Sequence, residues 1–199
     1  MSSATRRPGA HQLLVLAKRP APGRCKQRLA KTLGDQAAAR VQQRLLEHTL
    51  AVARLWRHSD SSGSVALLFA EHQGHGSLGQ RLQRLMGRSL RQGARQVVVV
   101  GSDLPSLSPL LLRQAFAGLE QQPLVLGPAL DGGYWLIGLT AAGFAQQRGR
   151  LFSGIPWGGD QVLSCTLAQA KAQAMGLQLL SQQRDLDRIT DLEPWCAEP

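Results

Sequence analysis

Gln96 to Leu107 reads Q-V-V-V-V-G-S-D-L-P-S-L. Four consecutive valines suit a strand buried on both faces, the kind found in the middle of a parallel sheet. Gly101 and Ser102 break the run, and Asp103 falls just past the strand's carboxyl end. Pro105 has no N–H with which to continue the pairing. Ligands of open α/β sheets bind at that end, so Asp103 is either a ligand-facing carboxylate or a turn residue bonded to its own backbone.

Upstream, Leu13–Ala17 is a short apolar run that predicts the first strand. Lys18 to Cys25 is a loop stiffened by two prolines, and Lys26–Leu33 a short helix ended by Gly34. Asp35 is placed to cap a helix from Gln36 to about Arg57. Val65–Ala70 reads as a strand, Gln73–Gly79 as a glycine-bearing loop, and Leu78–Gln92 as a helix with leucines and Met86 inward. Downstream, Ser108-Pro109 is a clean helix start, and that helix runs to about Leu119. Leu124–Gly127 and Tyr134–Leu139 are strands, and Arg148–Gly159 is irregular. Asp160 is placed to cap a helix to Met175, Leu177–Ser181 is a last strand, and Arg184–Leu192 is a charged closing segment. Alternating strands and helices without an internal repeat predict one α/β domain: a mainly parallel sheet with helices on both faces.

The 199 residues suffice for one domain with a real core. No apolar run approaches the ~20 residues of a bilayer span, and the polar N-terminus lacks a signal-peptide core. Residues 1–11 read as a disordered basic tail, residues 12–199 as the folded domain, and the cytoplasm as the default location. Cys25, Cys165 and Cys196 are odd in number and far apart, which suits neither a disulfide framework nor a zinc site. His72 and His75 lie in a Gly-rich loop with no third ligand nearby.

Charge is unevenly spread. Residues 1–102 carry 17 Lys and Arg against 4 Asp and Glu, and residues 103–199 carry 6 against 9. A basic half beside an acidic half suits a site that takes phosphates on one side and a metal on the other, as well as a surface merely rich in arginine. It is unlike a uniform nucleic-acid stripe, and the chain has no RNA-binding aromatic motif.

Four cations, Lys18, Arg24, Lys26 and Arg28, fall within eleven positions directly after the first strand, around Pro20, Pro22 and Gly23. A helix N-terminus aimed back at such a loop makes an anion site, though a solvated basic loop reads the same way. Magnesium needs only one or two carboxylates beside substrate phosphates. Asp103 supplies one, and Asp185 and Asp187, two apart on an extended segment, share a face. Asp131 precedes Gly132 and Gly133, which let a ligand or another backbone approach closely. A carboxylate there can accept a proton from an acceptor hydroxyl, or D-G-G is only a tight turn. Trp157 either stacks on a base or sugar or packs in the core.

Six blocks in order, A-K-R-P-A-P-G-R-C-K-Q-R-L, Q-G-H-G-S-L-G-Q-R-L, G-S-D-L-P-S-L, G-P-A-L-D-G-G-Y-W-L-I-G-L, F-S-G-I-P-W-G-G and R-D-L-D-R-I-T-D-L, resemble a bacterial family of nucleotide-diphospho-sugar glycosyltransferases of the GT-A type. Some of its members are assigned to arsenosugar biosynthesis. The resemblance covers residues 12–193. The first block also resembles 2-phospholactate guanylyltransferase, and G-S-D-L-P resembles molybdenum-cofactor guanylyltransferase.

The resemblance implies a GT-A/Rossmann-like fold and a metal-dependent glycosyltransferase using a nucleotide-sugar donor, Mg²⁺ or Mn²⁺, and a small-molecule acceptor. Nucleotidyl transfer is the alternative, and a basic nucleic-acid-binding module, which explains the basic half but not the carboxylates at strand ends, is the reading from another class. Ala17, Lys18, Gly23, Arg24, Lys26, Arg28 and Ser102 would hold the nucleotide and its phosphates. Asp103 and Asp187 would hold the metal, Gly132, Gly133, Tyr134 and Trp157 the substrate, and Asp131 would be catalytic. Nucleic acid is not an expected partner, and a homodimer is an open option. The chain departs from the family at Gln27, usually Thr, at Ser77, usually Asp, and at Arg188-Ile189-Thr190-Asp191, where the family has T-P-E-D.

Overall fold

The computed structural model describes residues 10–192. Six strands form one sheet: β1 (His11–Ala17), β2 (Gly63–Phe69), β3 (Gln96–Gly101), β4 (Leu124–Pro128), β5 (Tyr134–Thr140) and β6 (Leu177–Leu179). Their spatial order is β2-β1-β3-β5-β4-β6. β1 pairs parallel with β2 and β3, and β4 parallel with β6, while β5 runs antiparallel to both β3 and β4. The sheet is therefore mainly parallel as expected, but its valine strand has one parallel and one antiparallel neighbour. The tight turn after β4 makes this so, because five residues return the chain directly into β5 and leave no room for a crossover helix.

The helices are α1 (Gln27–Leu33), α2 (Asp35–Ser59), α3 (Leu78–Arg91), α4 (Pro109–Gln121), α5 (Ala141–Gln147) and α6 (Val162–Ala172). β3 is buried on both faces as its composition requires. Val98 and Val100 face a core with Trp56 of α2 and Leu112 and Phe116 of α4. Val97 and Val99 face another with Leu82 and Met86 of α3, Ala170 of α6, and Phe152 of the segment before α6. Two apolar layers thus clamp the sheet and fix the carboxyl ends of β1 and β3 side by side.

Ser108 caps α4 as predicted, its hydroxyl accepting from Leu111 N. Two other predicted caps are wrong. Asp35 is the first residue of α2, and Gly34, at φ 79°, is the cap. α6 begins at Val162 after Gln161 with no side-chain cap, because the Asp160 backbone packs against Gly132 instead. α5, absent from the sequence reading, is capped by Thr140, which accepts from Gly143 N. His11, read as the last residue of the tail, belongs to β1; residues 1–9 and Cys196 lie outside the described residues. Cys25 and Cys165 are free thiols. Among the described residues no helix is long and apolar enough to cross a membrane.

Candidate functional site

The loop after β1 is shaped by Gly23, at φ 71°, and by Arg24 N donating to Ala21 O. Lys18 and Arg24 are exposed and have no ion pair among the described residues. Lys26 behaves differently. It caps α1 in the left-handed conformation, φ 48° and ψ 44°, a strain of about 1–2 kcal/mol for a side-chain-bearing residue. That conformation turns its side chain inward. The ammonium is 3% exposed, lies 2.7 Å from Asp103 Oδ1 and donates to the Leu186 carbonyl. Arg28, one position into α1, reaches Asp187 Oδ2 at 2.8 Å.

The closing segment 183–187 crosses the ends of β3 and β4. Gln183 N donates to Pro128 O, Leu130 N to Gln183 O, and Leu186 N to Asp103 O at 2.9 Å. Leu186 packs with Leu29 and Leu45, so its neighbours Asp185 and Asp187 turn together toward a cleft of about 770 Å³, as their spacing predicted. Asp131 and Tyr134 line the same cleft. Asp103 and Asp185 also line a smaller apolar cavity of about 200 Å³ beneath it, between Leu16, Leu82 and Leu136.

Asp185 is the residue that sequence reasoning undervalued. Its carboxyl is pushed up to about 7, first by burial and then by the carboxylates of Asp103, Asp131 and Asp187, with Lys26 acting against them. Its Oδ1 is buried without a hydrogen-bond partner among the described residues. Only the alternation R-D-L-D hinted at this, and it could not tell which Asp lies deeper.

Asp131 is exposed and its Oδ1 accepts from Gly133 N at 2.9 Å. Gly132, at φ 86°, lies so close to residue 160 that a β-carbon there would fall 1.9 Å from Asp160 O. Its own carbonyl accepts from Leu163 N. The glycine therefore admits another backbone, not a ligand, and ties the 157–160 turn to Asp131. Trp157 sits edge-on to Tyr134, with ring centroids 6.4 Å apart, and its ring packs on Gly79, where a β-carbon would be 2.6 Å away. Tyr134 is half-buried with its hydroxyl enclosed, and burial pushes that hydroxyl up.

The structure thus brings Lys26, Arg28, Asp103, Asp131, Asp185 and Asp187 to one end of the sheet. It does not bring Ser102. Ser102 is buried, and its hydroxyl accepts from Gln42 Nε2 of α2, on the helix side of the strand end. Ala17 is buried at the end of β1, and its side chain offers no polar atom.

A divalent cation fits these carboxylates in one way only. Among the described residues no three His, Cys, Asp or Glu are disposed to enclose a metal, and Asp103 and Asp187 are each engaged by a cationic side chain. The Asp185 oxygen, crowded by other carboxylates and without a hydrogen-bond partner among the described residues, nevertheless favours a positive charge beside it. The set suits a hard cation that arrives with phosphates and needs one or two carboxylates.

This architecture is similar to that of nucleotide-sugar transferases and nucleotidyltransferases of known structure. A candidate nucleotide-diphospho-sugar transferase from Desulfovibrio desulfuricans G20 is 26% identical, with a TM-score of 0.77 over 90% of this chain and 83% of that one. 4-Diphosphocytidyl-2C-methyl-D-erythritol synthase from Anaerococcus prevotii DSM 20548 is 10% identical, with a TM-score of 0.55 over 92% of this chain and 95% of that one. CMP:2-keto-3-deoxy-manno-octonic acid synthetase complexed with CTP is 11% identical, with a TM-score of 0.51 over 94% and 97%. The last two share the fold alone. No curated protein matches the sequence. A family model matches residues 27–159, two thirds of the chain, and the chain belongs to that family, the uncharacterized proteins conserved in bacteria of DUF2064.

Proposed function

We propose that this protein is a metal-dependent glycosyltransferase that uses a nucleotide-diphosphate sugar as donor and a small molecule as acceptor. The observation that carries the reading is the meeting of Lys26 and Arg28, from the basic stretch after β1, with Asp103 and Asp187 beside Asp185 at the carboxyl ends of β1 and β3. The overall likeness to the Desulfovibrio protein supports it.

Lys18 and Arg24 hold the diphosphate, Arg for its paired N–H geometry and Lys as a point charge. Arg28, released from Asp187 as the donor enters, adds a third cation. Asp103 and Asp187 hold the Mg²⁺ or Mn²⁺ carried by the donor, with Asp185 beside them. When bound, the metal neutralises charge on the leaving diphosphate. Asp131 takes the proton of the acceptor hydroxyl while its oxygen bonds to the anomeric carbon, and the nucleoside diphosphate departs with the electron pair of the broken bond. A single displacement of this kind inverts the anomeric centre.

Nucleotidyl transfer is the second reading, favoured by the shared fold of the CTP-bound synthetase. In it the same loop places an α-phosphate for attack by a substrate phosphate, and pyrophosphate is the product.

A thermal-shift panel of UDP-, GDP-, CDP-, ADP- and dTDP-sugars and free NTPs, each with and without Mn²⁺, tests the proposal, because a ligand of the native state raises the melting temperature by mass action. One NDP-sugar raises it with metal, and its turnover releases free nucleoside diphosphate. Shifts from NTPs alone, or pyrophosphate as product, move the assignment to nucleotidyl transfer. An Asp131→Asn protein with full turnover removes Asp131 from the role of base.

A further inference from the structure

Trp157 and the first turn of α3 form a wall with a cleft on each side. On one side is the cleft of the carboxylates, lined by Asp131, Asp160, Asp185, Asp187 and Asp191 against Arg28, Arg184 and Arg188. On the other is a second cleft of about 880 Å³, in whose lining there is no Asp or Glu among the described residues. Its apolar surface comes from Phe152, Ile155 and Trp157, and its charge from Arg84 and, when protonated, His75. The two clefts therefore differ in sign across a single aromatic ring.

Arg84 is built into the second cleft. Its Nη2 donates to the carbonyls of Gln73 at 3.0 Å and His75 at 2.8 Å. Gly74, at φ 79°, lets the guanidinium lie against the loop, since a β-carbon there would fall 2.6 Å from Nη2. The loop is itself anchored: the Gln73 side chain is buried, donates to Leu68 O and accepts from Arg81. Two carbonyl bonds fix the plane of the guanidinium without cancelling its charge. They leave Nε–H and the two Nη1–H donors, on separate edges of the guanidinium, with no protein partner among the described residues, so that an anion is met by single charge-assisted bonds. A surface arginine that only screens solvent needs no such cradle.

We propose that the second cleft seats the acceptor, and that the acceptor is a small molecule with an apolar body and an anionic group, carboxylate or phosphate. The assignment rests on the transfer reading above. The anion meets Arg84, the apolar body lies on Trp157 and Phe152, and the acceptor hydroxyl lies at the Trp157 edge that the two clefts share. Excluding carboxylates from this cleft, while the neighbouring one gathers them, keeps donor metal and acceptor anion apart.

The test uses calorimetric titration of the full chain with phenyl phosphate, benzoate and neutral phenol. Phenyl phosphate or benzoate saturates the protein, phenol binds at least about tenfold more weakly, and the tighter anion names the group. Arg84→Gln weakens the anion by about tenfold or more, and Ser77→Asp, which keeps an equally good helix cap while adding a negative charge to the cleft wall, weakens it in the same direction. Neither variant changes the melting shift given by the NDP-sugar with Mn²⁺. No saturable binding of either anion, equal binding of phenol, or unchanged binding in both variants overturns the proposal. If the anion binds through Arg84 but no NDP-sugar shifts the melting of the wild-type protein, the transfer reading fails and takes the name acceptor with it.

Discussion

The ammonium of Lys26 and the carboxylate of Asp103 stand 2.7 Å apart, yet one is 3% and the other 50% exposed. The two ends of this bond should therefore respond differently to its loss. In Lys26→Met the carboxylate rehydrates, and what is lost is the bond to Leu186 O, about 1–2 kcal/mol. In Asp103→Ala the ammonium stays buried with the Leu186 carbonyl as its only acceptor among the described residues, at a cost of about 2–4 kcal/mol. Urea denaturation of the two variants measures the difference; an Asp103→Ala protein more stable than Lys26→Met would mean that the ammonium is not confined. The asymmetry matters for activity assays too, since loss of nucleotide binding in Asp103→Ala speaks about the metal only if Lys26→Met keeps the fold and binds donor.

Asp185 couples the same cluster to pH. Its folded-state value of about 7 lies above the ordinary aspartate value of 3.8, so the folded state holds a proton that the unfolded chain has released. The stability this contributes is complete below about pH 4 and is lost as pH rises toward and through 7. Asp103, Asp131 and Asp187 raise the value, and Lys26 opposes them. Asp185→Asn should flatten the fall between pH 4 and 7 and leave the variant more stable than the wild type at pH 8, by on the order of a few kcal/mol. Melting temperatures of both proteins across that range decide it, and parallel curves would remove Asp185 as the cause.

The start of α3 gives a control for the second cleft. Ser77 Oγ accepts from Gln80 N, and Gln80 Oε1 accepts from Ser77 N, a complete capping box. Ser77→Ala should cost about 1 kcal/mol, and Ser77→Asp should stay within about 0.5 kcal/mol of wild type. Chemical denaturation checks both. A strongly unstable Ser77→Asp would disqualify it as a probe of the cleft's charge.

The valine run, the Ser108-Pro109 start and the alternation of elements were legible because each is decided locally: burial on both faces, a cap with proline behind it, a change of period. The failures share a cause. Asp35 and Asp160 are good caps by type, but Gly34 supplies the left-handed turn before α2, and contact with Gly132 occupies the backbone of Asp160. Ser102 has the same polarity whether it faces a phosphate or Gln42, and only the placement of α2 chooses. Asp185 and Asp187 carry one formal charge each in the sequence. Their different fates follow from depth and from Arg28, which pairs with Asp187 across 159 positions of chain. Local chemistry names the residues at the end of the sheet, and long-range packing assigns them their partners.

The paired glycines after Asp131 offer the sharpest mechanical test. Gly132 has φ 86°, and its missing β-carbon would meet Asp160 O at 1.9 Å, Asp160 C at 2.5 Å and Asp160 Cα at 2.7 Å. All three are backbone atoms, which no side-chain rotation can clear. Gly133 has no such φ, and its β-carbon would meet the Asp131 side chain, nearest at Oδ1, 3.2 Å, a group that can give. Gly132→Ala must then push the 157–160 turn away, losing the bond from Leu163 N and strained backbone together, for about 3 kcal/mol or more. Gly133→Ala should cost less than about 1 kcal/mol. Because the displaced turn carries Trp157, Gly132→Ala should also weaken phenyl phosphate binding in the second cleft, while Gly133→Ala leaves it near wild type. Thermal melts and the same calorimetric titration of both proteins read the two effects, and equal behaviour of the variants would show that the Asp131 turn does not hold the wall between the clefts.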